Sequence, residues 1–554
     1  MNKSKLKILM CSEASFLNSG FGVYTKELLS YLHATNKYEI AEFASYGFVN
    51  DPRDVSINWK YYANAVKDGD PRHKEYTSRA DNQFGRWRFE KVLLDFRPDV
   101  VIDIRDYWMS SYQRLSPLRK FFHWILMPTV DSSPQQEEWI DTFLDADAVF
   151  TYSDWGADVL NQQSSGKIKY IDTASPGVNC DIFNCKNRES IKKAFNIPSN
   201  AIIIGSVMRN QKRKLIPELF TAFRMSIDKL SQTGHEDIAN NMYLYMHTSY
   251  PDMGWDIPEL LKSSRLSNKV LFTYSCKNCN HVSCNKFVGP HKICQKCLNK
   301  SASFPSVTDG VSTNSLSDIY NLFDLYVQYS ICEGFGMPQV EAGACGVPIA
   351  TVNYSAMCDI INKLEAYPIK IQTRFKELET KAIRVYPDNA DLSEFIVNFV
   401  VQPEPIRNQQ RHKISNLTHK YFNWIDTCKK WESYLDKLDT QGYRANWLSG
   451  DYLPTIVDYK PNYPTNFDNL IVLLNNYVKN PNMIGSQKIL ELLNYADYGF
   501  VQNGPASIGP YGFNNIVDYI KVLIENNNQA KQVKDSNTAF DEDFILYANL
   551  KSNS

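Results

Sequence analysis

Glu333 and Glu341 stand eight positions apart in the stretch EGFGMPQVEAGACGVP, with glycines around them and Pro338 between them. Two carboxylates at such a spacing can form an acid/base pair, ligate a metal or accept hydrogen bonds from the hydroxyls of a ligand. The flanking residues favour the last. DLYVQYS reads as a strand, ICEGFGMP as a loop and QVEAGACG as the start of a helix. Gly334 and Gly336 permit a tight backbone whose N–H groups face a ligand, and Pro338 suits a first helical turn, where its missing donor does no harm. A capped surface helix is the plain alternative, but it gives no reason for the glycine loop or the small residues of AGACG.

Two further groups could handle an anion. Arg209 and Lys214 lie in RNQKRK, directly after the apolar run AIIIGSVMR. Cations in a loop at the carboxyl end of a strand suit a diphosphate, though a solvated basic loop has the same composition. Gly20 and Gly22, in NSGFGVYTKELL, sit between a strand and a helix, where backbone N–H groups can approach an anion. They do not complete a dinucleotide fingerprint.

The cysteines carry a separate chemistry. Cys276-x-x-Cys279 and Cys294-x-x-Cys297 are fourteen residues apart. Two such knuckles set four thiolates around one Zn²⁺, whereas a redox dithiol needs only one pair. Cys284 and His281 are left out of the ligand set. Four thiolates close the coordination and leave no position for water, which excludes a zinc hydrolase and makes the metal structural. From Cys276 to Lys300 there are five lysines, two histidines and no acid. A staple for a loop without a core explains the metal; a staple that also meets nucleic-acid phosphates explains the lysines too. Both readings stand.

The elements that must position these residues follow from periodicity. LKILMCS, YEIAEFASY, DVVIDIRD, FFHWILMP and AVFTYS read as buried strands, with YTKELLSYL and EEWIDTFL as helices between them. A second series begins near residue 200 with AIIIGSVMR, NMYLYMHTS, KVLFTY, DLYVQYS and VPIATV, separated by IPELFTAFRMSIDKL and SLSDIYNLF. Strands alternating with helices imply an α/β protein of two doubly wound, Rossmann-like domains, each with a ligand crevice at the carboxyl ends of its strands. The expected boundaries are residues 1–180 and 186–420, a zinc-ribbon insert at 275–303 within the second domain, one amphipathic helix at 421–440 with Trp424 and Trp431 on one face, and a helical extension at 441–554. The insert follows KVLFTY directly, so it should rise from the rim of the cleft.

Bulk properties set limits. The chain has 554 residues, with 60 basic and 61 acidic side chains. The charges nearly cancel, so no global field draws in nucleic acid or an anionic membrane. The apolar run in MNKSKLKILMCSEASF is too short for a secretory signal, and no run reaches the roughly 18 residues of a membrane span. Twelve cysteines, several in apolar segments, fit a reducing cytoplasm, that of the host for a viral protein.

EGFGMPQVEAGACGVP resembles the E-x7-E signature of the retaining, nucleotide-sugar-dependent glycosyltransferases of the GT-B fold, family four. In chain order, SGFGVYTKELLSYL is similar to that family's N-terminal glycine loop, SPGVNCDIF to its interdomain segment, RNQKRK to its Arg-x4-Lys pair, and NWIDTCKKWESYL to the helix that crosses back onto the first domain. The resemblance covers residues 5–440. It implies that Glu333 and the amides of Gly334, Phe335 and Gly336 hold the donor sugar, that Glu341 holds the ribose, that Arg209 and Lys214 stabilise the departing diphosphate, and that Gly20 and Gly22 bring backbone to the phosphates. It implies a UDP-sugar donor and no catalytic metal. Many members have a histidine after the fourth strand; here FFHWILMPTVDSSP places His123 inside the strand and Asp131 in the loop, which makes Asp131 the candidate sugar contact. The acceptor stays open between a hydroxylated base in DNA, met through the basic insert, and a glycan, lipid-linked or protein acceptor. A non-catalytic scaffold on the same fold is the alternative from another class.

Overall fold

The computed structural model describes residues 5–53, 57–116, 118–306 and 309–448. Seven strands form the first sheet: β1 (Leu6–Glu13), β2 (Tyr38–Phe48), β3 (Lys60–Ala65), β4 (Val100–Asp103), β5 (His123–Leu126), β6 (Ala148–Thr151) and β7 (Tyr170–Thr173). They pair in the order β3-β2-β1-β4-β5-β6-β7, and every pairing is parallel. The second sheet is built from β8 (Ile202–Val207), β9 (Met242–His247), β10 (Val270–Cys276), β14 (Leu325–Gln328), β15 (Ile349–Val352) and β16 (Tyr367–Ile369). Its parallel part runs β10-β9-β8-β14-β15-β16. Both sheets therefore have the doubly wound order, with the chain reversing direction at β1/β4 and at β8/β14. Ligands of such sheets lie at the carboxyl ends of the strands at that reversal.

The strands are parallel because both faces are covered. Every residue of β4, β6, β14 and β15 is buried, which needs the near-continuous apolar runs seen in the sequence. The helix Gly20–Ala34 packs Tyr24, Leu28, Leu29 and Leu32 on one face, and Ile216–Gln232 packs Leu219, Phe220, Phe223, Ile227 and Leu230 on another.

The expected single helix at 421–440 is corrected. Tyr421 ends the helix Glu404–Tyr421, which stays on the second domain: Arg411 donates to the carbonyls of Phe323 at 2.9 Å and Cys345 at 3.2 Å. The chain then breaks at Phe422, whose carbonyl accepts from Val178 N at 3.0 Å. Asn423 starts a new helix, Trp424–Leu435, by accepting from Ile425 N at 2.8 Å. The break turns the chain onto the first domain. Trp431 stacks on Phe150 with centroids 4.1 Å apart and donates to the Tyr24 hydroxyl at 2.8 Å, while Trp424 meets the Tyr24 ring edge-on. Of the extension, a helix Gln441–Leu448 lies against the first domain through Arg444 to Asp99 and Trp447 on Phe121; residues 449–554 lie outside the described residues.

Several strands escape the periodic pattern. β3 and β7 are edge strands with mixed composition. The ribbon adds β11 (Val282–Lys286), β12 (His291–Lys292) and β13 (Ala302–Ser303) to the edge of the second sheet, with β11 and β13 antiparallel to β10. A separate antiparallel hairpin, β17 (Ile371–Lys376) and β18 (Ile383–Pro387), projects toward the first domain, where Ile383 N donates to Ser133 O at 3.0 Å. Among the described residues no helix is long and apolar enough to cross a membrane.

Candidate active site

The reversal at β8/β14 positions the C-terminal half of the site. β8 ends at Val207, and the following loop delivers Arg213 and Lys214; β14 ends at Gln328, and its loop delivers Glu333. The Glu333 carboxylate is 4 % exposed. Its Oε1 accepts from Lys214 Nζ and from Gln328 Nε2 at 2.7 Å, and its Oε2 from Arg213 Nη1 at 3.2 Å. Burial pushes this carboxyl up, but Lys214 and Arg213 outweigh burial and hold it down at about 2. The group is thus an ionised acceptor, not a proton donor, at neutral pH. Arg213 is a residue that the E-x7-E and Arg-x4-Lys spacing did not single out, although it sits in the same RNQKRK run.

Beside Glu333 the backbone is exposed to ligand. Among the described residues, the amide N–H groups of Gly334, Phe335 and Gly336 have no protein acceptor. Gly336 caps the helix Met337–Ala344 at φ +86°, a left-handed conformation that favours glycine. Gly334 meets the first domain so closely that a Cβ there would lie 2.3 Å from Thr129 Cγ2. The helix that follows presents Glu341, which accepts from the Tyr320 hydroxyl at 2.6 Å. Burial pushes the Glu341 carboxyl up to about 7.

Arg209 does not join the Glu333 cluster. Asp252, from the loop after β9, takes its guanidinium on both oxygens at 2.9 and 3.0 Å and leaves the side chain about half exposed at the crevice rim. Gly20 and Gly22 open the first helix, capped by Ser19, which accepts from Gly22 N at 3.1 Å. The two glycines differ. A Cβ at Gly22 would lie 2.5 Å from Leu17 O, so Gly22 serves close packing, whereas nothing lies within 4 Å of a Cβ at Gly20, which faces open space.

The first domain contributes acids in the loops after β4 and β5. Asp131, in the loop after β5, pairs with Arg384 of β18 at 2.9 Å and contacts the Cys332 thiol at 3.3 Å. Asp106, just past β4, was not picked from the sequence, although DIRDYW places it by the same strand-end logic. Burial pushes its carboxyl up to about 7, with the charges of Asp131 and Glu13 adding to the effect. His123 opens β5 at the end away from the cleft, with Nε2 2.9 Å from the Tyr434 hydroxyl of the crossing helix.

The four cysteines converge. The Sγ atoms of Cys276, Cys279, Cys294 and Cys297 all lie within 4.8 Å of one another, with Cys276–Cys297 and Cys279–Cys294 at 3.6 Å. Thiolates about 2.3 Å from a central ion have edges of about 3.8 Å, so the donor set fits a tetrahedral metal. Each knuckle closes the same way: Asn280 N bonds Cys276 O at 2.9 Å and Leu298 N bonds Cys294 O at 3.0 Å, both residues left-handed. Cys284 and His281 are not in the cluster. Cys276 is the last residue of β10, and the chain leaving the ribbon returns to the first domain, where a Cβ at Gly310 would lie 3.2 Å from Asn18 Nδ2 beside the glycine loop.

Residues 303–396 match the family described as Glycosyl transferases group 1. The fold is shared with solved structures at low identity. Sucrose-phosphate synthase from Thermosynechococcus elongatus superposes with a TM-score of 0.56 at 15% identity, over 81% of this chain and 100% of that one. HepE from Anabaena, in complex with UDP and glucose, gives 0.52 at 11% identity over 78% and 100%. WaaG, a glycosyltransferase of lipopolysaccharide biosynthesis, gives 0.52 at 11% identity over the same shares. The architecture is GT-B, two doubly wound domains across a cleft. No curated protein sequence matches significantly.

Proposed function

From the premise of a glycosyl transferases group 1 segment set in a GT-B frame, we propose that this chain is a retaining glycosyltransferase that moves a sugar from a nucleotide-sugar donor, a UDP-sugar, to a hydroxyl acceptor. The observation that carries the reading is the conjunction at the β8/β14 reversal: an ionised Glu333 held by Lys214 and Arg213 next to three amides without a protein acceptor. Glu333 and those amides take the sugar hydroxyls. Glu341 exchanges Tyr320 for the ribose hydroxyls. Lys214 and Arg209 face the diphosphate, and Gly20 leaves room for it. As the glycosidic bond breaks, negative charge grows on the diphosphate; cations fixed beforehand stabilise that charge more than the ground state. The acceptor attacks from the face the leaving group departs, and the leaving phosphate takes its proton. That route gives retention and needs no general base, in keeping with a Glu333 whose carboxylate is held by Lys214 and Arg213 as a weak base.

In the ribbon the four thiolates would hold Zn²⁺, which fixes a loop that lacks a core of its own. The DNA reading of the acceptor rests on the lysines of this insert. Three of them are engaged within the protein, Lys277 with Asp309, Lys286 with Asn268 and Lys292 with Ser283, while Lys296 and Lys300 are exposed. A gel shift at two salt concentrations tests that reading: Lys296→Ala with Lys300→Ala should lower both affinity and salt slope, and no change in either removes the DNA acceptor and leaves a glycan, lipid-linked or protein one.

The activity itself is tested by incubating a panel of nucleotide sugars with the protein and following release of the nucleotide. Lys214→Ala and Glu333→Gln should lose turnover. A wild-type protein that neither binds nor cleaves any member of the panel overturns the enzyme reading and favours a scaffold.

A further inference from the structure

The hairpin β17–β18 brings to the site a cation that the proposed chemistry above does not use. Arg384 is 6 % exposed, and its guanidinium spans two carboxylates. Nη1 lies 2.9 Å from Asp131 Oδ1 and 2.8 Å from Cys332 Sγ, while Nε and Nη2 lie 2.9 and 2.8 Å from Glu377 Oε2. Glu377 is itself held by the Thr380 hydroxyl at 2.6 Å. The strand carrying Arg384 is stitched to both domains at once. Ile383 N donates to Ser133 O at 3.0 Å in the first domain, and Val385 N to Ile331 O at 3.3 Å, two residues before Glu333.

This arrangement divides the labour of the Asp131 oxygens. Oδ1 accepts from the Ser132 hydroxyl at 2.8 Å and from Arg384, and is fully occupied. Among the described residues Oδ2 has only the Cys332 thiol at 3.3 Å, a weak donor that a hydroxyl readily replaces. Arg213, the other cation near Asp131, is committed to Glu333. We propose that Arg384 is a positioning residue that reaches across the domain interface to fix Asp131, with Oδ2 presented to a hydroxyl of the donor sugar. Its planar fork holds both the angle and the charge of the carboxylate, which a lysine cannot do. The proposal rests on the glycosyltransferase reading and adds to it a contact on the sugar, not on the nucleotide.

The test compares UDP alone with UDP-glucose, UDP-galactose and UDP-N-acetylglucosamine on the full-length protein. Calorimetric Kd values and nucleotide release are measured for wild type, Arg384→Gln, Arg384→Lys, Asp131→Asn and the double variant Asp131→Asn/Arg384→Gln. Arg384→Gln should leave the Kd for UDP within about twofold, yet lower turnover of the best UDP-sugar about tenfold or more, the size expected for one charge-assisted hydrogen bond. In the Asp131→Asn background it should add nothing, because both changes remove one interaction. Arg384→Lys keeps a buried charge, so the comparison survives if the Gln variant does not fold, and it should recover little turnover. A parallel loss of UDP affinity and turnover would mean a merely structural residue and overturn the proposal, as would additive losses in the double variant. Failure of wild type to bind UDP or any of the three UDP-sugars overturns the UDP-sugar donor on which the proposal rests, and the proposal with it, a result that no Arg384 variant can mimic.

Discussion

Glu333→Gln removes one charge from the buried cluster and keeps its shape. The carboxyl titrates at about 2 in place of 4.5. That difference corresponds to roughly 3 kcal/mol of stability at neutral pH, close to the cost of breaking a buried pair and leaving its cation behind. The sign follows from proton binding. Between pH 4.5 and about 2 the unfolded chain holds the proton and the folded one does not, so stability rises with pH. The contribution is complete above pH 4.5 and is lost as the pH falls toward 2. At pH 7, thermal unfolding of the variant should therefore show a midpoint about 6–12 °C below wild type, taking about 2–4 °C per kcal/mol for a domain of this size. The gap should narrow below pH 4.5. Adding Lys214→Met should return part of the lost stability, since the buried ammonium is then gone and Arg213, whose side chain is partly exposed, can be solvated instead, but should not return turnover. Equal midpoints at pH 7, or a gap that stays constant down to pH 3, would refute the assignment of Glu333 as an ionised, cation-held acceptor.

Three further outcomes follow from the geometry. Metal analysis of purified protein should find about one zinc per chain, and Cys279→Ser or Cys294→Ser should lower that occupancy and the midpoint of unfolding while UDP binding persists. An ionised Glu341 accepts on both oxygens with charge-assisted bonds, whereas the protonated group offers fewer and weaker acceptors; its carboxyl is pushed up to about 7, so UDP affinity should rise from pH 6 to pH 8, and Glu341→Gln should bind more weakly and with a smaller rise. Trp431→Ala should cost about 3–5 kcal/mol, because it removes the stack on Phe150 and the donor to Tyr24 together, and limited proteolysis should then cut near Phe422.

The parallel strands were legible because a strand covered on both faces must be apolar throughout, and runs such as AIIIGSV and DLYVQYS leave little else to be. The knuckles were legible because two cysteines separated by two residues already face one ion. β3, β7 and the hairpin β17–β18 were not. Their exposed or mixed faces carry residues such as Gln372, Thr373 and Arg374, which have no periodic apolar signal, and the hairpin is anchored by backbone bonds from Ile383 to Ser133 and from Val385 to Ile331, residues distant in the chain. The break at Phe422 was hidden for a related reason: its stop is a hydrogen bond from Val178, some 240 residues earlier.

The candidate site divides in the same way. The sequence by itself determined the chemical types: a carboxylate after a glycine loop, cations after a strand, four thiolates in two pairs. Each is a local pattern that needs only its neighbours to be read. Only the tertiary structure decided which of them meet. It placed Lys214 and Arg213 on Glu333, turned Arg209 to Asp252, brought Asp106 to the cleft and set Arg384 against Asp131. Those pairings join residues up to some 250 positions apart, and a buried charge chooses its partner by distance in space, since only a counter-charge within a few ångströms offsets its lost hydration.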